Sequence, residues 1–146
     1  MENFLSIPAH CLSGFLGLCM APRITIVEMD QKGPCMLAIA EPCFDGAFLS
    51  YWCAPEWRQT KYVLTTFLNV LKLALEQFPC IVGITKQKRL IETHLRLGYT
   101  LGGELPKFWG GETAYILMLT RENFAPILKR YHRLLIADQL TRNLWL

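Results

Sequence analysis

Apolar positions recur along this chain with two different periods. Between residues 23 and 53 they come in short runs: Ile24, Ile26 and Val27 interleave with Thr25 and Glu28, residues 35–40 are apolar on both faces, and residues 47–53 form a third run. Gln31-Lys32-Gly33-Pro34 separates the first two and Glu41-Pro42-Cys43-Phe44-Asp45-Gly46 the second two. Short runs bounded by Gly, Pro and Asp read as strands, and three joined by tight turns predict an antiparallel meander. From about residue 58 to 78 the period becomes helical. Thr65, Asn69, Lys72 and Glu76 make one polar stripe, and the apolar remainder (Val63, Leu64, Phe67, Leu68, Val70, Leu71, Ala74, Leu75) is wide enough to be covered over most of the circumference.

Residues 80–84 form a further apolar strand. A helix between two strands is a crossover, so residues 47–53 and 80–84 are expected to run parallel and adjacent. Residues 87–97 then place Leu90, Ile91, His94 and Leu95 on one helical face, with Thr85 at the N-cap position and Gly98 as the stop. Residues 99–103 and 113–119 read as a closing antiparallel pair linked by residues 104–111. Residues 122–136 can form a helix with Phe124, Ile127, Leu128, Tyr131, Leu134 and Leu135 on one side. The expected organisation is a mixed α/β (α+β) domain over residues 1–120, beginning with short apolar helical turns in residues 1–21. A helical extension over residues 121–146 packs on the domain or on a partner.

Composition narrows the function classes. The chain has 146 residues, 52% of them apolar and 18% charged, which suits one domain with a single core and excludes a disordered, charged tail. A net charge of +3 gives no nucleic-acid signal, and neither basic run, Lys86-Gln87-Lys88-Arg89 nor Lys129-Arg130-Tyr131-His132-Arg133, alternates with aromatics. The six cysteines contain no Cys-x-x-Cys pair and read as small buried hydrophobes of a reducing compartment; no metal site is expected. No apolar run approaches the roughly 20 residues of a membrane helix. No basic region or small-residue cleavage site marks a signal peptide. The expected location is cytoplasmic, or inside an assembled particle.

The stretch from Cys80 to Tyr99 carries a resemblance. An apolar strand followed by an Asn, an Ala three residues on, a Tyr four further and a Gly-aromatic pair after another four is the frame of the acetyl-CoA-dependent N-acetyltransferases, the GNAT superfamily. Here Gln87, Leu90, His94 and Gly98-Tyr99 occupy those places. The order meander, helix, parallel strand, helix, strand pair is similar to that fold over residues 24–120, without its usual first strand. The resemblance implies a GNAT-like mixed sheet and, if the chain is an enzyme, acetyl-CoA as cofactor.

It also implies where chemistry would sit. The family opens its long helix with Arg or Gln, two residues, Gly, one residue, and Gly or Ala, so that backbone N–H groups meet the cofactor pyrophosphate. The matching stretch is Arg58-Gln59-Thr60-Lys61-Tyr62-Val63, with Lys61 and Val63 at the glycine positions. The β-branched side chain is expected to crowd the phosphates, while Arg58 and Lys61 still attract an anion. His94 stands where the family keeps the tyrosine that protonates the departing thiolate; imidazole chemistry allows that role, and a core histidine is the plainer reading. Glu28, Glu41, Asp45 and Glu56 are the open choices for a general base. Ser50 and Cys53 have no identifiable partner as nucleophiles. Trp52, Trp57 and Trp109 read as core and rim.

A looser similarity, through Glu56-Trp57-Arg58 and Leu97-Gly98-Tyr99, is to acetyltransferase-like internal virion proteins of short-tailed phages. It implies a structural or assembly role. The sequence thus favours a catalytically degenerate acetyltransferase fold that needs no cofactor and binds a protein partner or a second copy through its apolar ends. The alternative is an acetyl-CoA-dependent N-acetyltransferase with a non-standard cofactor loop.

Overall fold

The computed structural model describes residues 24–30, 33–55, 58 and 62–143. The segment 1–21, Glu56, Trp57, Gln59, Thr60, Lys61 and residues 144–146, all of which figured in the sequence analysis, lie outside the described residues. The elements are β1 (Ile24–Asp30), β2 (Gly33–Cys43), β3 (Gly46–Cys53), α1 (Tyr62–Gln77), β4 (Cys80–Thr85), α2 (Lys88–Arg96), β5 (Thr100–Trp109), β6 (Glu112–Thr120) and α3 (Arg121–Asn143). The six strands form one sheet in the order β1-β2-β3-β4-β6-β5. β1, β2 and β3 are the expected antiparallel meander, and β3 and β4 are the expected parallel neighbours around the α1 crossover.

Alternation along the strands selects the packed face. Met36, Ala38 and Ala40 of β2, Ala47 and Leu49 of β3, Ile81 of β4, and Leu117 and Leu119 of β6 share one core with Phe67, Leu68, Val70, Leu71, Ala74 and Leu75 of α1. α2 adds Ile91 at the edge of this core, and Leu97 follows at its end. α3 closes it with Phe124 and Ile127, flanked by Leu128, Tyr131 and Leu135. Phe124 is 1% exposed and is the largest fully buried side chain among the described residues. α3 is joined to α1 at its start as well: the Arg121 guanidinium donates to the carbonyls of Leu75 and Glu76 in the last turn of α1. A cation there satisfies carbonyls that the helix leaves open and opposes its dipole.

Several boundaries differ from the sequence expectation. β2 runs through Glu41, Pro42 and Cys43, which were read as turn; the turn is Phe44-Asp45 alone. β5 continues past Gly103 to Trp109, so the supposed linker is strand and the turn is Gly110-Gly111. In α1, Thr65 is buried and Asn69 half-buried, so the solvent stripe is confined to Lys72, Leu73, Glu76 and Gln77 in its second half. Leu95 is 43% exposed; the inward face of α2 is Ile91, His94 and the following Leu97. Thr85 does not cap α2. The N-cap is Gln87, and the Thr85 hydroxyl oxygen instead accepts from the Gln87 N–H, holding the turn that leads into the helix.

Candidate functional site

β3 and β4 are pinched together at one end and apart at the other. At the pinch, a Cβ on Gly46 would stand 2.8 Å from the Cys80 carbonyl oxygen, so only glycine permits that approach. Parallel pairing follows at Ala47–Ile81 and Phe48–Val82 and then ends, although β3 continues to Cys53 and β4 to Thr85. Beyond those pairs the two strands share no ladder, and β4 leads into α2 through the Lys86-Gln87 turn.

Tyr51 lies on the diverging part of β3. It shares the helix-facing side with Ala47 and Leu49, and its ring packs on Phe67 of α1 with centroids 4.7 Å apart. Its hydroxyl reaches Nε2 of His94 on α2 at 3.1 Å. The other imidazole nitrogen, Nδ1, is 2.6 Å from the Leu90 carbonyl one turn earlier. A carbonyl only accepts, so Nδ1 carries the proton, Nε2 is left with its lone pair, and Tyr51 is the donor of the second bond. Neutral imidazole is thereby satisfied at both ends.

Aromatic rings complete the enclosure. His94 has Tyr99 edge-on at 4.9 Å and Phe67 edge-on at 5.8 Å. His94 is 5% exposed, and burial lowers its pKa, an effect that the Leu90 carbonyl partly opposes. Tyr51 remains 39% exposed, yet its pKa is pushed up to about 12, mainly by burial and secondarily by Cys53. Burial, and next the Tyr51 hydroxyl, raise Tyr99 as well. The outcome is a neutral Tyr-His pair whose tyrosine is reachable from outside and whose histidine is not.

Local backbone geometry fixes this pair. Gly98, at φ +92°, ends α2 in the left-handed conformation as expected. The Tyr99 N–H donates to the His94 carbonyl and the Gly98 N–H to the Leu95 carbonyl, which together form a Schellman motif. The same chain reversal turns Tyr99 inward against the imidazole.

The other expected site residues disperse. Arg58 donates through Nε to the Cys53 carbonyl at 3.0 Å, folding back on the end of β3. Val63 is half-buried and packs against the core. Tyr62 is the first residue of α1. The Gln87 side-chain oxygen accepts from Arg89. Cys53 is half-buried against the core, and burial pushes its thiol up, with Arg58 opposing. Ser50 is exposed and, by alternation, on the face opposite Tyr51. Asp45 sits in the β2–β3 turn, about 20 Å along the strand from Tyr51 at ~3.4 Å per residue. Glu41 pairs with Phe48 on the same side of the sheet end. Trp109 is 48% exposed on β5 with the Lys86 ammonium 5.8 Å from its ring centre. No cluster of three metal-ligating side chains occurs among the described residues, and no described helix is long and apolar enough to cross a membrane.

Tyr51 is the residue that the sequence analysis missed. Its only signal was the alternation that puts position 51 on the same side as Ala47 and Leu49. Its partner lies 43 residues away.

No family model and no curated protein matches this sequence. Solved structures do match its fold. A point mutant of spermidine N-acetyltransferase from Vibrio cholerae is 11% identical, with 80% of this chain and 76% of that one covered at a TM-score of 0.66. An aminoglycoside 6'-acetyltransferase is 20% identical, with 77% of each chain covered at a TM-score of 0.64. The ribosomal-protein-S18-alanine N-acetyltransferase of Escherichia coli is 14% identical, with 74% and 75% covered at a TM-score of 0.59. The chain therefore has the fold of the GNAT acetyltransferases.

Proposed function

With that fold as the premise, we propose that this chain is an acyl-CoA-dependent N-acyltransferase with a non-standard cofactor loop. The observation that carries the reading is the splay of β3 and β4 with the Tyr51–His94 pair at its open end, where the resemblance puts the proton-handling group. The packing of Val63 against the core supports it by drawing part of that side chain away from the start of α1. Acetyl-CoA supplies an acyl group activated as a thioester. Arg58, the backbone opening α1 at Tyr62 and Val63, and Gln87 are the residues that the resemblance implies would hold it, Arg58 and Gln87 on giving up their present bonds to the Cys53 carbonyl and Arg89. The named activities of the similar proteins transfer acetyl groups to spermidine, to an alanine and to aminoglycosides, so an amine is the acceptor class to test.

A second reading, a cofactor-free assembly or binding module, draws on α3. Beyond Leu135, the last of the described side chains of this helix against the core, Ile136 and Leu140 are 42% and 60% exposed one turn apart, as an apolar contact for a partner would be. Calorimetric titration with acetyl-CoA and CoA separates the two, with a Lys61→Gly, Val63→Gly variant alongside. Dissociation constants on the order of micromolar for wild type are expected. Absence of binding by wild type overturns the enzyme reading, and binding gained only by the glycine variant identifies a site closed by those two side chains.

A further inference from the structure

We propose that Tyr51 is the catalytic proton carrier of the splay, passing a proton from the acceptor amine to His94 Nε2 and returning one to the departing sulfur. The inference rests on the acyltransferase reading. It assigns a role to a residue on β3 that neither the sequence frame nor the position of His94 indicates.

The direction of the hydrogen bonds is what dictates this order. His94 Nδ1–H is committed to the Leu90 carbonyl, so the end of the imidazole facing the splay has a lone pair and no proton. In this tautomer His94 cannot itself act as the acid for a thiolate. It can receive. Tyr51, which places its single proton on that lone pair, keeps oxygen lone pairs that can accept from an N–H.

Acylation of an amine moves one proton from nitrogen to sulfur overall, so a group that accepts first and donates second is sufficient. As the C–N bond forms, Tyr51 Oη takes the proton of the nitrogen while its own passes to Nε2. As the C–S bond breaks, the electron pair leaves with sulfur, Tyr51 gives a proton to it, and Nε2–H restores the tyrosine. No proton, electron or co-reactant is left over. The tyrosine gains a proton in the motion that loses one, so the full tyrosinate, which its burial penalises, is never formed. His94 is a positioning residue here, acting on the substrate only through Tyr51. Its transient charge is met by the Leu90 carbonyl on one side and by the rings of Tyr99 and Phe67 on the others.

The test has two parts. Long-range proton–nitrogen correlation spectra of wild type, without any ligand, are expected to show His94 protonated at Nδ1 and bare at Nε2, and an Nε2–H tautomer overturns the proposal. Tyr51→Phe keeps the ring on Phe67 and removes only the hydroxyl. With acetyl-CoA and spermidine, an alanine-starting peptide and an aminoglycoside as probes, its kcat is expected to fall about 100-fold or more while its calorimetric affinity for CoA stays within about twofold. His94→Gln is expected to lose the acidic limb of the kcat/KM pH profile. Full turnover by Tyr51→Phe overturns the proposal and leaves the acyltransferase reading standing. Wild type that binds no CoA, or binds it without acylating any probe, overturns both.

Discussion

Burying an imidazole is inexpensive only while it stays neutral, and His94 is neutral because both ring nitrogens already have partners that suit one tautomer. Its titration is therefore coupled to folding. The unfolded chain takes up a proton near pH 6.5, and the folded chain, whose pKa is lowered by burial, does so at lower pH. Between those two values the unfolded state binds more protons, so stability falls as the pH drops below 6.5. Urea unfolding at pH 7.5, 6.5, 6.0 and 5.5 is expected to show this loss, with a slope of at most about 1.4 kcal/mol per pH unit from this group. The loss is expected to shrink in His94→Gln. An equal acid sensitivity in that variant would place the titrating group elsewhere. The sequence already placed His94 on an apolar helical face, which made burial legible. Tyr51 was not legible as its partner, because alternation gives the side of the sheet and says nothing about which helix residue meets it across 43 positions.

At the scale of elements, glycine and proline were over-read as terminators. Pro42 stays within β2, where it pairs with Ala47 of β3. The Gly102-Gly103 pair marks a register shift within β5, after which pairing with β6 resumes. Gly98 is a true stop for two reasons that can be separated. Its φ of +92° disfavours any side chain, and a Cβ there would stand 2.6 Å from the Asn123 carbonyl oxygen of α3. Gly111 shares the positive φ, at +79°, with nothing within 4 Å of its Cβ position. Chemical denaturation is therefore expected to show Gly111→Ala losing about 1 kcal/mol and Gly98→Ala at least about 2 kcal/mol, the excess reporting the contact between the end of α2 and α3. Equal losses would mean that α3 yields without resistance. The order of strands and helices was legible throughout residues 24–120, because each element has its own period or its own stop. The small interval by which β3 and β4 separate was not, since a strand reads alike whether or not its neighbour keeps pace with it.

On the scale of the whole molecule, the question is whether α3 belongs to the core or merely lies on it. A sheet packed by α1 alone would leave Leu97, Tyr99 and the end of β6 with one side open. Phe124 and Ile127 fill that side, within the same cluster as Leu71 and Leu75 of α1 and Leu119 of β6. Arg121 adds a polar tie to the end of α1, and the Arg121 N–H donates to the Pro79 carbonyl at 3.2 Å in the turn before β4. Helix, crossover and sheet are thus joined at one corner, and breaking any one should loosen the others. Phe124→Ala removes the largest fully buried side chain and is expected to cost about 3–5 kcal/mol. Amide hydrogen exchange then distinguishes the two architectures. If α3 is part of one cooperative unit, the amides of β4, β6 and α1 lose protection by the same free energy as those of α3. A detachable extension gives a different result: α3 exchanges freely while the sheet keeps its protection, and the Tyr51–His94 pair, held by α1, α2 and β3, is left undisturbed.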